Sequence, residues 1–376
     1  ALSSKTKHKT YFFLAGKAQN QNFNLINNIK SDEINFISSS QILKANIFSI
    51  FRYAIFIYKQ LRSIKSANKD SKLICSHTTP LASFLATSIC LILGIKDTRY
   101  RIGGLLYQRN LPFYIRLPGF ILEYYLLYFN SFTSFVCQEN KNSYILTFPK
   151  LLKNTGRIDV FYSICKIDHV YNKKTFLNKK FNVLYNKKLL NLPLNKIVNG
   201  REIILTVVND KKRKGSNLFY KLAENAKKYE SILFVHLGTR KFLNMELIND
   251  NLLVVPHTSN NIVADWLNIC KFTVLLSTYP EGLPQVLPQS LSFGKPIFCF
   301  ENTGIQDSVI HGFNGIVISR ELAIDKILEK LLNFAKNESY KEIFKNTLLN
   351  KDFYKNRHSK KKYIVDFLNS NFYKNV

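Results

Sequence analysis

Glu281 is the acid whose position most clearly suggests chemistry. It lies in a polar turn after an apolar strand-like run, Val274–Leu276, and a helix-like segment and a second apolar run follow it. In an open α/β sheet, ligands bind where strands end. A carboxylate there accepts hydrogen bonds from two neighbouring hydroxyl groups, about twice as strongly as a neutral acceptor does. We therefore expect the functional site around Glu281, and a solvated loop acid or a helix cap is the alternative.

The residues after Glu281 favour a phosphate group. Gly282, Leu283 and Pro284 are predicted to open a helix, because proline loses no hydrogen bond in a first helical turn. Glycine lets the backbone approach a ligand closely. The free N–H groups and the dipole of a helix start attract phosphate, so a phosphate group is expected here.

A basic turn follows another predicted strand, Ile203–Val208, and contains Arg213, Lys214 and Gly215. A fixed cation in such a turn would stabilise the negative charge of a bound phosphate group. We predict this role for Lys214, with Arg213 as its substitute. A solvated basic turn is the alternative.

The order of these motifs resembles a known family. S-x-x-x-E-G-x-P, a helix, F-G-K-P, G-x-x-D and H-G-x-N-G are similar to the nucleotide-sugar-binding half of retaining glycosyltransferases. The similarity is specifically to family 4 of the two-Rossmann-domain (GT-B) enzymes that build bacterial surface polysaccharides. It implies that Glu281 binds the hydroxyls of the donor sugar. It also implies that the phosphate at the helix start is the donor's diphosphate, which Lys214, or Arg213 as its substitute, stabilises as it departs. It also implies that Gln289, which replaces the family's second glutamate, binds the nucleotide ribose; an exposed glutamine is the alternative.

Further site residues follow from the resemblance. Ser277 and Asp307 are expected near the donor, although Ser277 could equally shape its turn and Asp307 could cap a helical turn. In the first half of the chain, His77 and Arg101 are expected to bind the acceptor. A helix-entry turn is the alternative for His77.

Three residues depart from the family pattern. Besides Gln289, Gly103 stands where the family has a histidine, and Asn209 stands where it has an arginine. These departures favour a rival interpretation, a degenerate and non-catalytic scaffold. A nucleotide-sugar epimerase of the same fold is a second rival, although the cleft acids and histidine of such enzymes are not evident. The resemblance implies no metal and no cofactor.

Short apolar runs alternate with helical periodicity along the chain. This pattern predicts parallel sheets in two Rossmann-like, doubly wound α/β domains that face a cleft. We predict an acceptor-binding domain over residues 1–175, a nucleotide-sugar-binding domain over 176–350, and a C-terminal helix over 351–376 that crosses back to the first domain. Lys166–Asn199 has weak periodicity and is expected to be a linker. The predicted strands are Tyr11–Ala15, Ile34–Ile37, Leu73–Ser76, Thr98–Ile102, Phe135–Gln138, Val160–Ser163, Glu202–Val207, Ile232–His236, Leu252–Pro256, Phe272–Leu276, Ile297–Phe300 and Gly315–Ile318.

The composition favours a polyanionic partner. The 376 residues include 54 lysines and arginines against 25 acids, which gives a net charge of +29. Such a balance suits nucleic acid, anionic lipid headgroups or phosphorylated substrates. No nucleic-acid-binding module is recognisable, so nucleic acid is not an expected partner. The six cysteines lack metal or disulfide spacing and fit a reducing cytoplasm.

Two segments suit a membrane surface. Ile47–Ser66 and Arg109–Asn130 combine aromatic and aliphatic residues with cations, as interfacial helices do. Ordinary core helices are the alternative. Ala1–Thr10 is polar and basic, so no signal peptide is predicted. Leu81–Ile95 is shorter than the roughly 20 residues that a membrane span needs, and we interpret it as a buried helix.

These features together predict a retaining glycosyltransferase. It would move a sugar from a nucleotide-sugar donor, expected to be UDP-linked, to a lipid-linked or growing saccharide. The predicted location is the cytoplasm, peripheral on the inner face of the cell membrane. The predicted pathway is capsule, exopolysaccharide or O-antigen (lipopolysaccharide) assembly.

Overall fold

The structure is a computed structural model. It describes residues 10–14, 34–38, 47–67, 74–77, 80–103, 113–152, 158–162, 164–165, 172–209, 212–279, 281–302, 304–336 and 338–370. Its strands are β1 (Thr10–Leu14), β2 (Ile34–Ser38), β3 (Ile74–His77), β4 (Asp97–Ile102), β5 (Phe132–Phe135), β6 (Ile158–Val160), β7 (Lys180–Tyr185), β8 (Lys188–Pro193), β9 (Glu202–Val207), β10 (Ile232–Thr239), β11 (Met245–Asn249), β12 (Leu252–Pro256), β13 (Phe272–Leu275), β14 (Ile297–Phe300) and β15 (Gly315–Ile318).

Helices connect most of these strands. They are α1 (Ile47–Ala67), α2 (Pro80–Ile92), α3 (Phe113–Phe129), α4 (Gln138–Thr147), α5 (Pro149–Leu152), α6 (Lys173–Asn178), α7 (Leu194–Val198), α8 (Ser216–Asn225), α9 (Asn260–Ile269), α10 (Val286–Ser292), α11 (Ile324–Lys336), α12 (Glu338–Leu349), α13 (Lys351–Arg357) and α14 (Lys360–Asn369), with a 3₁₀ turn at Lys212–Lys214.

The second lobe is built on one large sheet with the order β15-β14-β13-β9-β10-β12-β11-β7-β8. From β15 to β12 all neighbouring strands are parallel. The chain runs from β9 through β10 to β12, and then returns to place β13 on the other side of β9. This reversal is the switch point of a doubly wound sheet, where ligands bind beyond the carboxyl ends of the strands.

The core of this lobe lies on both faces of the sheet. One apolar cluster packs β-strand residues such as Phe234 and Phe298 against α8 and α11. The other packs residues such as Leu205 and Leu253 against α9 and its fully buried Trp266. Strands covered on both faces have nearly continuous apolar sequences, and this explains why the sequence pattern identified β9, β12 and β14.

The first lobe contains a parallel sheet with the order β3-β4-β5-β6, and β1 and β2 form a separate parallel pair among the described residues. α1 packs on α2, and α2 packs on α3. The core beneath α3 and α4 includes the buried residues Tyr100, Phe135 and Tyr144.

Several elements differ from the sequence prediction. The strand expected at Phe135–Gln138 instead occupies Phe132–Phe135, and Gln138 begins α4. The strand expected at Val160–Ser163 instead occupies Ile158–Val160, and residues 161 and 162 lie outside it. The expected linker contains α6, the β7–β8 hairpin and α7 from residue 172 onward, and these extend the large sheet; residues 166–171 lie outside the described residues. β11 was not predicted, because it is a short antiparallel strand beside β12 and only one of its five residues is buried.

The C-terminal helices contact both lobes. α13 packs on α10 in the second lobe. In α14, Tyr363 packs its ring against Phe161 of the first lobe and accepts a hydrogen bond from Arg101 at 2.8 Å. The chain therefore passes between the lobes once near Cys165 and again near His358. At these two passages the N–H of Cys165 donates to the carbonyl of His358 at 3.0 Å.

Candidate active site

Glu281 and Lys214 form a close ion pair in the second lobe. The ammonium nitrogen of Lys214 lies 2.6 and 2.7 Å from the two carboxylate oxygens of Glu281. The hydroxyl of Ser277 donates to the same carboxylate at 2.6 Å. Glu281 is 8% exposed, and Ser277 is fully buried. Such charge-assisted bonds fix the carboxylate in one orientation.

The fold explains why these residues meet although they are distant in sequence. Lys214 follows β9 and Glu281 follows β13, which are adjacent strands at the switch point. The two loops are tied together, since the N–H of Thr278 donates to the carbonyl of Arg213 at 3.0 Å and the hydroxyl oxygen of Ser277 lies 3.2 Å from the same carbonyl. Sequence analysis placed both residues at strand ends, and the sheet order brings them together.

Gly215 allows the Lys214 loop to approach β13. Its φ is +79°, and a Cβ there would lie 2.2 Å from the carbonyl oxygen of Leu276. Any other residue would be strained by the left-handed conformation and would also collide with backbone. The Lys-Gly pair in the sequence therefore has a structural reason as well as a chemical one.

Asn302 supports the site, and sequence analysis missed it. Its side-chain amide donates to the carbonyls of Ser277, at 3.1 Å, and of Tyr279. It is buried and follows β14, the next strand in the sheet. Its place directly after a predicted strand was the available signal, because polar residues at neighbouring strand ends gather at one sheet edge.

A cavity of about 450 Å³ opens beside the ion pair. Lys214, Asn209 and Gln289 contribute polar groups to its wall, and Pro284 and Val263 contribute apolar surface. Lys214 both lines the cavity and bonds to Glu281, so it lies between the cavity and the carboxylate. Ligand pockets typically have volumes of about 300–1,000 Å³ with a few polar groups on apolar walls, and this cavity fits that description.

The helix after Glu281 starts later than expected. Gly282, Leu283 and Pro284 precede the helix, and α10 begins at Val286 with Gln285 as its cap residue. Pro288 occupies the third position of α10, where the missing N–H leaves no helical hydrogen bond unmade. Pro284 lines the cavity, whereas Leu283 is buried with Val136 and Cys137 of the first lobe.

Other predicted residues have different surroundings. Arg213 is exposed and lies 5.2 Å from the ring centre of Tyr279. Arg101 donates to the hydroxyl of Tyr363 and to the carbonyl of Phe161 at 3.0 Å, so its guanidinium is engaged with the C-terminal helix. His77 ends β3 beside Tyr100, and its side chain lies outside the described part of the chain.

Asp307 does not cap the turn that follows it. Its carboxylate accepts hydrogen bonds from the N–H groups of Gln138 and Glu139, which begin α4 in the other lobe. The acid that sequence analysis placed near the donor thus bridges the two lobes. Gln289, in contrast, lines the cavity and is 9% exposed, so it is not an exposed surface glutamine.

A protein-family model matches most of the second lobe. Residues 193–349 match the model of the glycosyl transferases group 1 family. This segment lies inside the predicted nucleotide-sugar-binding domain and contains Lys214, Glu281 and Gln289. No curated protein sequence matches the chain.

Solved structures with the same fold extend over nearly the whole chain. Anabaena HepE in complex with UDP and glucose is similar with a TM-score of 0.65 and 11% identity, over 96% of this chain and 98% of HepE. Sucrose-phosphate synthase from Thermosynechococcus elongatus is similar with a TM-score of 0.64 and 12% identity, over 97% of this chain and 88% of the synthase. A glycosyltransferase from Rickettsia africae is similar with a TM-score of 0.59 and 14% identity, over 99% of this chain and 91% of that enzyme. The predicted α/β fold of two Rossmann-like lobes, GT-B, is therefore confirmed.

Proposed function

We propose that this chain is a retaining glycosyltransferase that transfers a sugar from a UDP-linked donor to a lipid-linked or growing saccharide. The observation that supports this best is the Lys214–Glu281 pair, held by Ser277 at a sheet switch point beside a cavity of about 450 Å³. HepE, which shares the fold, was solved with UDP and with UDP-glucose, and this favours a UDP-linked donor. The product would enter capsule, exopolysaccharide or lipopolysaccharide assembly, and the reaction would need no metal or cofactor.

The ion pair suggests how the donor is held. A bound diphosphate would share the ammonium of Lys214, while Glu281 would accept hydrogen bonds from sugar hydroxyls. The bond from the anomeric carbon to the diphosphate breaks, and the acceptor oxygen forms the new bond on the same face of the sugar. The acceptor's proton leaves with the nucleoside diphosphate, whose developing charge Lys214 stabilises.

Replacing Lys214 with alanine tests the phosphate contact. We expect Lys214→Ala to weaken UDP binding about 10- to 100-fold, because hydrogen bonds to charged groups contribute roughly 1.5–3 kcal/mol. Uridine binding should change little. Calorimetry with both ligands measures the difference, and Lys221→Ala, an exposed lysine of α8, is the control. Equal losses for UDP and uridine would remove Lys214 from the diphosphate site.

Replacing Gln289 with glutamate tests the ribose contact. A carboxylate accepts hydrogen bonds from ribose hydroxyls more strongly than an amide does. We therefore expect Gln289→Glu to raise affinity for UDP, and to leave affinity for a 2′,3′-dideoxy analogue unchanged. Calorimetry with the two nucleotides makes this comparison. Unchanged binding of both would place Gln289 outside the ribose site.

The first lobe carries an apolar helical surface that supports the membrane part of the proposal. Its exposed residues are Phe48, Phe51 and Ile55 on α1, Phe84, Leu91 and Ile92 on α2, and Phe113, Tyr114, Leu117, Phe120, Ile121, Tyr124, Tyr128 and Phe129 on α3. α1 adds the exposed cations Arg52, Lys59, Arg62 and Lys65. The only acid on these three helices, Glu123, is buried. Among the described helices, none has the length and apolar content to span a bilayer.

An anionic lipid surface suits this combination. Cations near such a surface contribute about 1 kcal/mol each, and aromatic residues favour the headgroup region. We propose that α1, α2 and α3 rest on the cytoplasmic face of the membrane, where a lipid-linked acceptor would be presented.

Vesicle binding tests this surface. We expect binding to phosphatidylglycerol vesicles, weaker binding to phosphatidylcholine vesicles, and a several-fold loss on Ile121→Glu. Leu243→Glu is the matched control, since Leu243 is 96% exposed on the second lobe. Equal losses from the two variants, or no vesicle binding, would contradict the proposal.

Product analysis tests the reaction itself. Incubation with UDP-sugars and saccharide acceptors should release UDP and form a glycoside with the donor's anomeric configuration, measurable by NMR. A change of sugar configuration without acceptor would indicate an epimerase. UDP-sugar binding with neither hydrolysis nor transfer would favour the non-catalytic scaffold, which the Gln289 and Gly103 departures also favour.

A further inference from the structure

Asp307 completes a helix that begins in the other lobe. α4 starts after Cys137, whose side chain makes no capping hydrogen bond. The carboxylate of Asp307 instead accepts from the N–H groups of Gln138, at 2.5 Å, and Glu139, at 3.1 Å. A negative group at a helix N-terminus satisfies free N–H donors and interacts favourably with the helix dipole.

Glu139 makes the reciprocal contact. Its carboxylate accepts from the N–H of Gly304 at 2.5 Å and also bonds to the backbone of Gln306. These residues lie in the turn that contains Asp307. Each lobe therefore supplies a carboxylate that satisfies backbone donors of the other lobe, and both pairs of bonds exist only while the lobes are together.

This contact lies beside the proposed catalytic acid. The thiol of Cys137 donates to the carbonyl of Gly282 at 3.3 Å, and Gly282 directly follows Glu281. Val136 and Leu283 pack together in the same contact. A Cβ on Gly304 would lie 1.7 Å from the carbonyl oxygen of Gly282. The turn that contains Gly304 and Asp307 therefore packs directly against the Glu281–Gly282 loop.

We infer that Asp307 and Glu139 are positioning residues, which hold the lobes closed and thereby set the Glu281–Gly282 loop against the first lobe. This inference deepens the proposed function, and only its kinetic test depends on that function. Neither residue touches the cavity wall, so they act through the loop rather than on the substrate.

The charges around the contact make closure depend on pH. Burial, followed by the nearby carboxylate of Asp307, raises the pKa of Glu139 to about 7, although hydrogen bonds from Gly304 and Gln306 oppose this rise. Other groups that face the contact are Tyr162, whose hydroxyl lies 3.4 Å from Asp307, and Arg357, which stacks on Tyr162 and donates to the carbonyl of Asp307. Cys137 and His358 complete the surroundings.

The sign of this pH dependence follows from linkage. In open lobes Glu139 has its ordinary pKa near 4.5, whereas in closed lobes its pKa is about 7. The closed form therefore binds more protons, and closure is strongest below the open-state pKa. The equilibrium constant for closure falls as pH rises between these two pKa values, by up to about tenfold per pH unit. It stays at its low value above pH 7.

Hydrogen exchange of the intact, ligand-free protein tests the inference. Asp307→Asn removes the charge and one of the two acceptor oxygens. We expect the exchange protection factors of the backbone amides to fall about tenfold or more at Gln138 and Glu139, and also at Gly304. The fall at Gly304 is decisive, because the acceptor there, Glu139, is unaltered. If protection falls only at the start of α4, Asp307 is a local cap and the inference is wrong.

Two further variants make the test specific. Glu139→Gln keeps an acceptor for Gly304 but cannot ionise, so protection factors at Gly304 should lose their dependence on pH between about 5 and 7. Asp352→Asn, an exposed acid of α13, should change neither protection nor its pH dependence. A wild-type protein whose Gly304 protection is independent of pH would overturn the role of Glu139.

The kinetic readout uses the same variants. Asp307→Asn should lower kcat for sugar transfer about tenfold with a smaller change in KM for the donor, and Asp307→Glu should restore part of it. Since exchange is measured without substrate, a failure of the proposed reaction would leave the exchange result interpretable.

Discussion

Glu281→Ala is expected to lower the rate of sugar transfer at least about 100-fold, with little change in melting temperature. Removing one preorganised group from an active site typically costs about 10²–10³ in kcat. Both carboxylate oxygens of Glu281 accept hydrogen bonds from the ammonium of Lys214, and one also accepts from the hydroxyl of Ser277, so the carboxylate is preorganised. Lys214 is about a quarter exposed, with a side-chain exposure of 23%, so water can solvate its ammonium in the variant.

Matched variants identify the cause of such a loss. Glu281→Gln keeps the shape of the side chain and should still lose most of the activity, because the amide lacks the charge and one acceptor. Glu321→Gln, an exposed acid of the same lobe, should retain full activity. Initial rates and thermal melts of the three variants make the comparison. An active Glu281→Ala protein would refute the assigned role.

Gly282→Ala is the second substitution with a large expected effect. A Cβ at this position would lie 1.6 Å from the carbonyl oxygen of Gly103 in the other lobe. Neither backbone can yield by that amount while the lobes remain closed. Overpacking typically costs about 1–3 kcal/mol, so we expect the closed form to become about 10- to 100-fold less populated. Transfer rates and small-angle scattering would report the loss of activity and the more open shape.

Gly103 supplies the control for this prediction. Among the residues that the structure describes, no atom lies within 4 Å of a Cβ placed on Gly103, although this residue forms the other side of the same contact. Gly103→Ala should therefore leave shape and activity unchanged. If both alanine variants behave alike, the close approach of Gly282 and Gly103 is not what limits the protein.

The fold was largely predictable because the buried strands leave a clear signal. β9, β12, β14 and β15 begin and end where the sequence predicted, since long apolar runs bounded by polar turns mark strands covered on both faces. The β7–β8 hairpin was missed because its two-residue turn, Asn186-Lys187, lacks glycine. Both residues adopt positive φ, of 47° and 63°, and lysine gives no sequence indication of this.

The candidate site was predictable where its residues follow neighbouring strands. Lys214 and Glu281 lie in recognisable local motifs after β9 and β13, and the doubly wound topology makes these two strands neighbours. The partners of Asp307 and Arg101 were not predictable, because they lie on α4 and α14, far away in sequence. No local pattern encodes which helix start a distant carboxylate will cap.

The hydrogen bond between Cys165 and His358 has a mechanical consequence. The chain joins the lobes at two places, and this bond ties those places to each other. Because the two crossings lie together, we expect any movement of one lobe relative to the other to turn about this one place, while the covalent chain on both sides opposes sliding and detachment. Each swing would then carry Gly282 along the same arc to Gly103, so that the cleft shuts in one alignment without any ligand to guide it.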